Sequence, residues 1–183
     1  MTLLARLVPA GIALALVLLA CTIGRADVAR GSTTASTSTI QLRKLFRDEI
    51  QTLIDQTAIP VLLPPALPWS GVVPKLYLTG EATPHGWQIS VSAAPDCRNA
   101  TACFVASFDG KLRNRAPRPP NLRLPGGQPA SYTPIRCGAS CAPARIAFLH
   151  RGALITWRLK EPPRGGSQGL ARLAAAGIAA GSG

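Results

Sequence analysis

Proline sets the first limit on what this chain can become. Seventeen prolines and as many glycines stand in 183 residues, and most of the prolines lie beyond Ile59. A proline inside a helix removes a backbone donor and clashes with the preceding turn, so the composition calls for short elements joined by many turns. The run Ile59-Pro60-Val61-Leu62-Leu63-Pro64-Pro65 can hold only a short edge strand, because proline donates nothing to a ladder. Residues 109–134 are the least regular stretch, with Pro117, Pro119, Pro120, Pro125, Gly126, Gly127 and Pro129. They have room for at most a short strand around Leu122 to Leu124.

Between these breaks the apolar period changes. Leu42, Leu45, Phe46, Ile50, Leu53 and Ile54 recur every three or four residues and predict one amphipathic helix over 40–57. Ser38 and Gln41 have the spacing of a capping box, and Pro60 prevents continuation. Trp87, Ile89, Val91 and Ala93 alternate with Gln88, Ser90 and Ser92, the pattern of a half-buried antiparallel strand. Further strands are expected at 75–79 and 102–108. A hairpin follows, with strands at 145–149 and 153–160 around His150-Arg151-Gly152, where Gly152 can take a positive φ. A closing helix over 168–180 puts Leu170, Leu173, Ala174, Gly177 and Ile178 on one face, with Ser167 as its cap. No internal repeat is visible. The fold class expected is α+β: an antiparallel β-sheet with an N-terminal and a C-terminal helix packed on it and two short disulfide-closed loops.

The first residues read as an address, not as fold. In 1–20, Arg6 precedes the apolar stretch Leu7 to Ala20, the n-region and h-region of a signal peptide. The stretch is short for a spanning helix, which needs about twenty apolar residues, although apolar character continues to Ile23 and an uncleaved anchor stays open. Leu18-Leu19-Ala20-Cys21 resembles the lipobox of bacterial lipoproteins. That resemblance implies a diacylglycerol on the Cys21 sulfur, cleavage before it and a membrane anchor; Leu19 is larger than the family's usual residue. Gly24-Arg25-Ala26 offers the competing site of an ordinary signal peptidase, with cleavage before Asp27. The segment 21–39 ends in an uncharged Gly/Ser/Thr/Ala run and reads as a flexible Ser/Thr-rich tether. The remainder, 40–183, is then a single domain.

Cysteine arithmetic agrees with export. Of five cysteines, Cys21 stands apart from Cys97, Cys103, Cys137 and Cys141, and either cleavage leaves an even number without a spare thiol. In an oxidising compartment the four should form disulfides. Local pairing, 97 with 103 and 137 with 141, is expected because Asn99 and Gly138 suit tight turns; two crossed connectivities remain open. Zinc would want two to four residues between paired cysteines, which 97 and 103 do not have. Neither pair has the Cys-x-x-Cys spacing of a redox site. No metal or other cofactor is expected.

The segment Pro60–Pro64, the Pro95-Asp96-Cys97 motif followed by Cys103, the run Cys137-Gly138-Ala139-Ser140-Cys141 and the closing helix resemble a family of uncharacterised bacterial exported proteins. The likeness spans about residues 58–180. It implies an envelope location and a sheet with helices, and carries no activity and no functional residues.

Charge gives the remaining direction. Twenty basic residues face eight acidic ones, for a net charge of +12, which favours anionic partners. Lys111, Arg113, Arg115, Arg118 and Arg123 fall in thirteen residues without an acid. They are the candidates for binding an anionic surface, either lipid or polymer. A solvated surface loop is the plainer reading. Nucleic acid is not expected, since no aromatic side chain interleaves these charges for base stacking. Catalytic signatures are sparse. His85 and His150 both read as exposed turn residues. Ser140 follows Gly138 but lacks the second glycine and the strand-to-helix setting of a nucleophile elbow, and no carboxylate pair has acid/base spacing. The sequence therefore points to an exported, lipid-anchored envelope protein with a small binding or structural domain. A protein partner is another candidate, and an envelope enzyme with an unrecognised active site is the alternative.

Overall fold

The structure, a computed structural model, describes residues 37–97, 100–113, 115, 117 and 119–181. The expected signal peptide, Cys21 and most of the tether lie outside the described residues, as do Asn99 and Arg118.

In chain order the elements are β1 (Thr37–Ile40), α1 (Leu42–Leu45), α2 (Arg47–Asp55), β2 (Leu67–Ser70), β3 (Tyr77–Thr83), β4 (Gly86–Ser92), β5 (Phe104–Leu112), β6 (Leu122–Arg123), β7 (Pro129–Thr133), β8 (Arg136–Cys137), β9 (Cys141–Ala142), β10 (Ala144–His150), β11 (Ala153–Leu159) and α3 (Gly166–Ala180). Seven strands form one antiparallel sheet in the order β3-β4-β5-β11-β10-β7-β6, while β1 with β2 and β8 with β9 make separate ribbons. The molecule is thus mostly antiparallel sheet, closed by a C-terminal helix and two disulfides. No helix among the described residues is long and apolar enough to cross a membrane.

Alternation in the strands divides the sheet into two unlike faces. Directly opposed residues share a face, and the register aligns Ile89, Phe108, Trp157 and Ile146 in one row. All four are fully buried. Phe108 and Phe148 each meet the Trp157 ring edge-on, with centroids 5.9 and 5.8 Å away, the geometry that the aromatic quadrupole favours. Leu170 and Ala174 of α3 belong to the same core, as do Ile50 and Leu53 of α2.

Ile59, Val61, Leu62 and Leu63 also lie in this core, and the segment 59–65 is not the expected edge strand. Leu62, Leu63 and Pro64 are buried, and no ladder accepts the segment. Side chains supply the donors that its carbonyls need. Trp87 Nε1 donates to Pro60 O at 3.2 Å, Trp157 Nε1 to Leu62 O at 3.2 Å, and Arg43 Nη2 to Val61 O at 2.9 Å.

The amino-terminal end differs more. One helix over 40–57 is not formed. The stretch begins as β1, so Thr37 to Thr39, the end of the expected tether, are strand. The helical part is broken at Phe46, whose φ of −128° and ψ of 46° leave the helical region. The break lets Leu42, Ile50 and Leu53 be buried and leaves Leu45 56% exposed. Ser38 and Gln41 form no capping box: the Ser38 hydroxyl donates to Gly71 O, and Gln41 makes no side-chain cap bond. At α3 the cap is likewise not Ser167 but Gly165, at φ 90°.

Several strand limits also move. The candidate at 75–79 becomes β3, the one at 102–108 continues to Leu112, and β7 appears in the stretch expected to be irregular. Pro129 is tolerated there as the first residue of its strand. The long hairpin turns through Arg151 and Gly152 alone, at φ 47° and 76°. Positive φ at both central residues is the two-residue turn that matches strand twist. His150 therefore belongs to β10, opposite Ala153.

Candidate functional site

The site-bearing residues are placed by strand alternation. The second face of the sheet carries Thr79 and Glu81 of β3, Gln88 and Ser90 of β4, Ser107 and Asp109 of β5, Thr156 and Arg158 of β11, and Arg145 of β10. None of these belongs to the hydrophobic core, and Thr79, Glu81 and Gln88 are exposed. One face of the sheet is committed to packing, and the other is rich in hydroxyl and charged groups.

Two arginines meet on this face. Arg145 stands directly opposite Arg158 across the β10–β11 pair. Like charges in that position repel. Asp109 relieves one of them: Arg158 Nη1 lies 2.8 Å from Asp109 Oδ1, with the arginine side chain 41% exposed and the aspartate 14%. Arg145 makes no ion pair among the described residues, and its Nε is buried without a hydrogen-bond partner. Within the cluster of Arg145, Arg158 and Asp109 one positive charge is uncompensated, while Glu81, on the same face, stands on β3 beside Gln88, four strands from β10.

Beside this pair lies an open cleft of about 260 Å³, lined by Gln88, Ser90 and Ser107, the half-buried ring of Phe104, Thr101 of the Cys97–Cys103 loop, and Pro143. Pro143 stands two residues before Arg145, where strand alternation puts both on one side of the chain entering β10, and the register sets Arg158 between Ser107 and Arg145. Both disulfides connect local partners, Cys97 with Cys103 and Cys137 with Cys141, which closes the question of connectivity. In the second loop the Gly138 N–H donates to Ser140 O at 3.0 Å, and Ser140 is an exposed turn residue.

The basic run is not gathered into one loop. Lys111 belongs to β5 and Arg123 to β6, with β11, β10 and β7 between them. At strand spacings of about 4.8 Å these two stand roughly 19 Å apart. Arg113 and Arg115 are exposed after β5. The Arg113 N–H donates to Gly152 O at 2.9 Å, which brings Arg151, a residue outside the run, to the same end of the sheet. Between Lys111 and Arg113, Leu112 is 64% exposed.

His85 is exposed in the β3–β4 turn, where its carbonyl accepts the Leu112 N–H at 3.0 Å. His150 departs from the expected exposed turn residue. It is half-buried, its Nε2 is buried without a partner, and burial, followed by the neighbouring Arg151 charge, lowers its pKa below 6.5. Among the described residues no three His, Cys, Asp or Glu side chains converge as metal ligands would.

Sequence reasoning passed over Arg145 and Arg158, treating them only as hairpin residues. The signal was present: both sit at the polar positions of strands whose apolar positions form the core. Pairing them required the β10–β11 register. No family model, no curated protein and no solved structure matches the chain.

Proposed function

We propose that this chain is an exported envelope protein, anchored to a membrane through Cys21, whose domain binds an envelope component on the open face of its sheet. The observation that carries the binding reading is the division of the sheet. Its polar face carries both Arg145, which has no ion pair among the described residues, and a hydroxyl-lined cleft, and a charge without a counter-ion near a polar concavity serves ligand recognition better than packing. The two disulfides fit an oxidising, non-cytoplasmic compartment. The lipobox resemblance of residues 18–21 supports the anchor, and the family resemblance supports the envelope. The exposed Lys111, Arg113 and Arg123 at one end of the sheet, with the exposed Arg115 after β5, would face anionic lipid headgroups, at about 1 kcal/mol per side chain close to the surface; Arg118, the fifth residue of the basic run, lies outside the described residues. The enzymatic alternative gains nothing specific, since neither His85 nor His150 forms an ion pair with a carboxylate among the described residues.

Metabolic labelling with a radioactive fatty acid tests the anchor. Wild type should carry label and fractionate with membranes, and Cys21→Ala should lose both. An unlabelled, full-length chain in the cytosol with freely titrating thiols would defeat the proposal.

A further inference from the structure

The geometry points to a specific occupant of the open face: an acidic sugar unit, its carboxylate held by Arg145 and its hydroxyls by the polar side chains of the adjoining cleft. This deepens the reading of the domain as a binding module and rests on it, but it depends on neither export nor Cys21.

The first support is electrostatic. Arg145 and Arg158 are direct cross-strand neighbours, and only Arg158 has a carboxylate partner. The arginine pair thus has room for one more negative charge, at the end of the face away from Glu81. A guanidinium presents a planar fork that matches a carboxylate through two parallel hydrogen bonds. A carboxylate on Arg145 would give each arginine its own counter-ion and remove the repulsion between them. A phosphate dianion would exceed the single charge that is uncompensated.

The second support is the chemistry beside that charge. Gln88, Ser90 and Ser107 line the cleft with donors and acceptors, each able to serve as either partner to a hydroxyl. Phe104, in the same wall, offers an apolar surface for the C–H side of a sugar ring. An open volume of about 260 Å³ is smaller than the ~300–1,000 Å³ typical of drug-sized sites, and it suits one ring unit. The Cys97–Cys103 disulfide closes the loop that supplies Thr101, so this wall is held in place before any ligand arrives.

Amide chemical shifts of the full-length, oxidised protein test the inference, with glucuronate, glucose and acetate as probes at matched ionic strength. Glucuronate should shift the amides of Arg145, Ser107 and Phe104 and bind about tenfold more tightly than either acetate or glucose, which offer only half of the contacts each. Arg145→Gln should abolish the carboxylate-dependent part and Arg145→Lys should restore a fraction of it. Gln88→Ala, at an exposed position, should weaken glucuronate while leaving acetate unchanged; it gives a second reading if Arg145→Gln alters the fold. Equal responses to glucuronate and acetate, or a glucuronate response that survives in Arg145→Gln, would overturn the assignment. Silence towards all three probes from a chain that fatty-acid labelling finds in the membrane would overturn this inference alone. A titration that succeeds for a chain retained in the cytosol would instead remove the envelope reading and leave this one standing.

Discussion

Buried nitrogens show how this domain treats its few polar interior atoms. Trp87 and Trp157 are almost fully buried, yet both indole N–H groups find carbonyls in the proline-rich segment. Each bond satisfies a backbone acceptor that a strand would otherwise have paired. His150 is the contrasting case, with a buried Nε2 and no partner. Burial first, and then the Arg151 charge, hold its pKa below the ordinary 6.5. The folded protein therefore binds this proton less readily than the unfolded chain does. The stability linked to His150 is complete above pH 6.5 and is lost as the pH falls through 6.5 towards the lower folded value. Replacing the imidazole with the amide of His150→Gln should flatten that part of the profile. Urea midpoints measured between about pH 7.5 and 5 will show it; parallel slopes for the two proteins would mean that His150 is not the titrating group.

At the scale of elements, α3 packs tightly against the sheet at Gly177. A Cβ there would press on the Trp157 ring and on the Leu63 carbonyl. Alanine is the better helix former by roughly 1 kcal/mol, but forcing a methyl into a packed core costs about 1–3 kcal/mol. Gly177→Ala should therefore be a net loss, seen as a lower denaturation midpoint, whereas the same substitution at an open helical glycine would gain. This close approach was only half legible in the sequence. The periodicity of 168–180 put Gly177 on the inner face, but nothing in it named Trp157 as the neighbour. The same divide runs through the other elements. β4 was readable because its alternation is uninterrupted, and the β10–β11 hairpin because two apolar-rich runs flank Gly152, even though Ala147, Leu149 and Leu154 stand on the arginine face. The break at Phe46 was not, because the apolar spacing of 40–57 is continuous and only tertiary burial chooses which leucines turn inward. The strands β7 and β2 were hidden by prolines, Pro129 as the first residue of β7 and Pro68 as the second of β2, opposite Thr39. Of the candidate site, the hydroxyls of β4 were visible as the polar half of an alternation. The arginine pair needed a register, and no local pattern supplies one.

Over the whole molecule, stability comes from two sources that scarcely overlap. The hydrophobic core lies on one side of the sheet and contains none of the cysteines. The disulfides close loops whose cysteines are exposed or half-buried, six and four residues apart. Short loops lose little entropy on closure, so each bridge contributes about 2–2.5 kcal/mol if unstrained. A crossed connectivity, with its longer loops, would have tied distant parts of the sheet together at nearer 4 kcal/mol per bridge. Local bridges instead stiffen the Thr101 wall and the β8–β9 ribbon and leave the core to hold the fold. A domain with the usual stability of about 5–15 kcal/mol should then survive their loss. Reduction should lower the urea midpoint by an amount equivalent to about 4–5 kcal/mol, while the far-ultraviolet circular dichroism in the absence of denaturant stays that of the oxidised protein. Glucuronate binding should weaken more with opening of the Cys97–Cys103 bridge, whose loop lines the cleft, than with Cys137→Ser/Cys141→Ser, whose cysteines do not line it. If reduction alone unfolds the chain, the core described above is insufficient, and the two loops hold far more of the structure than their length allows.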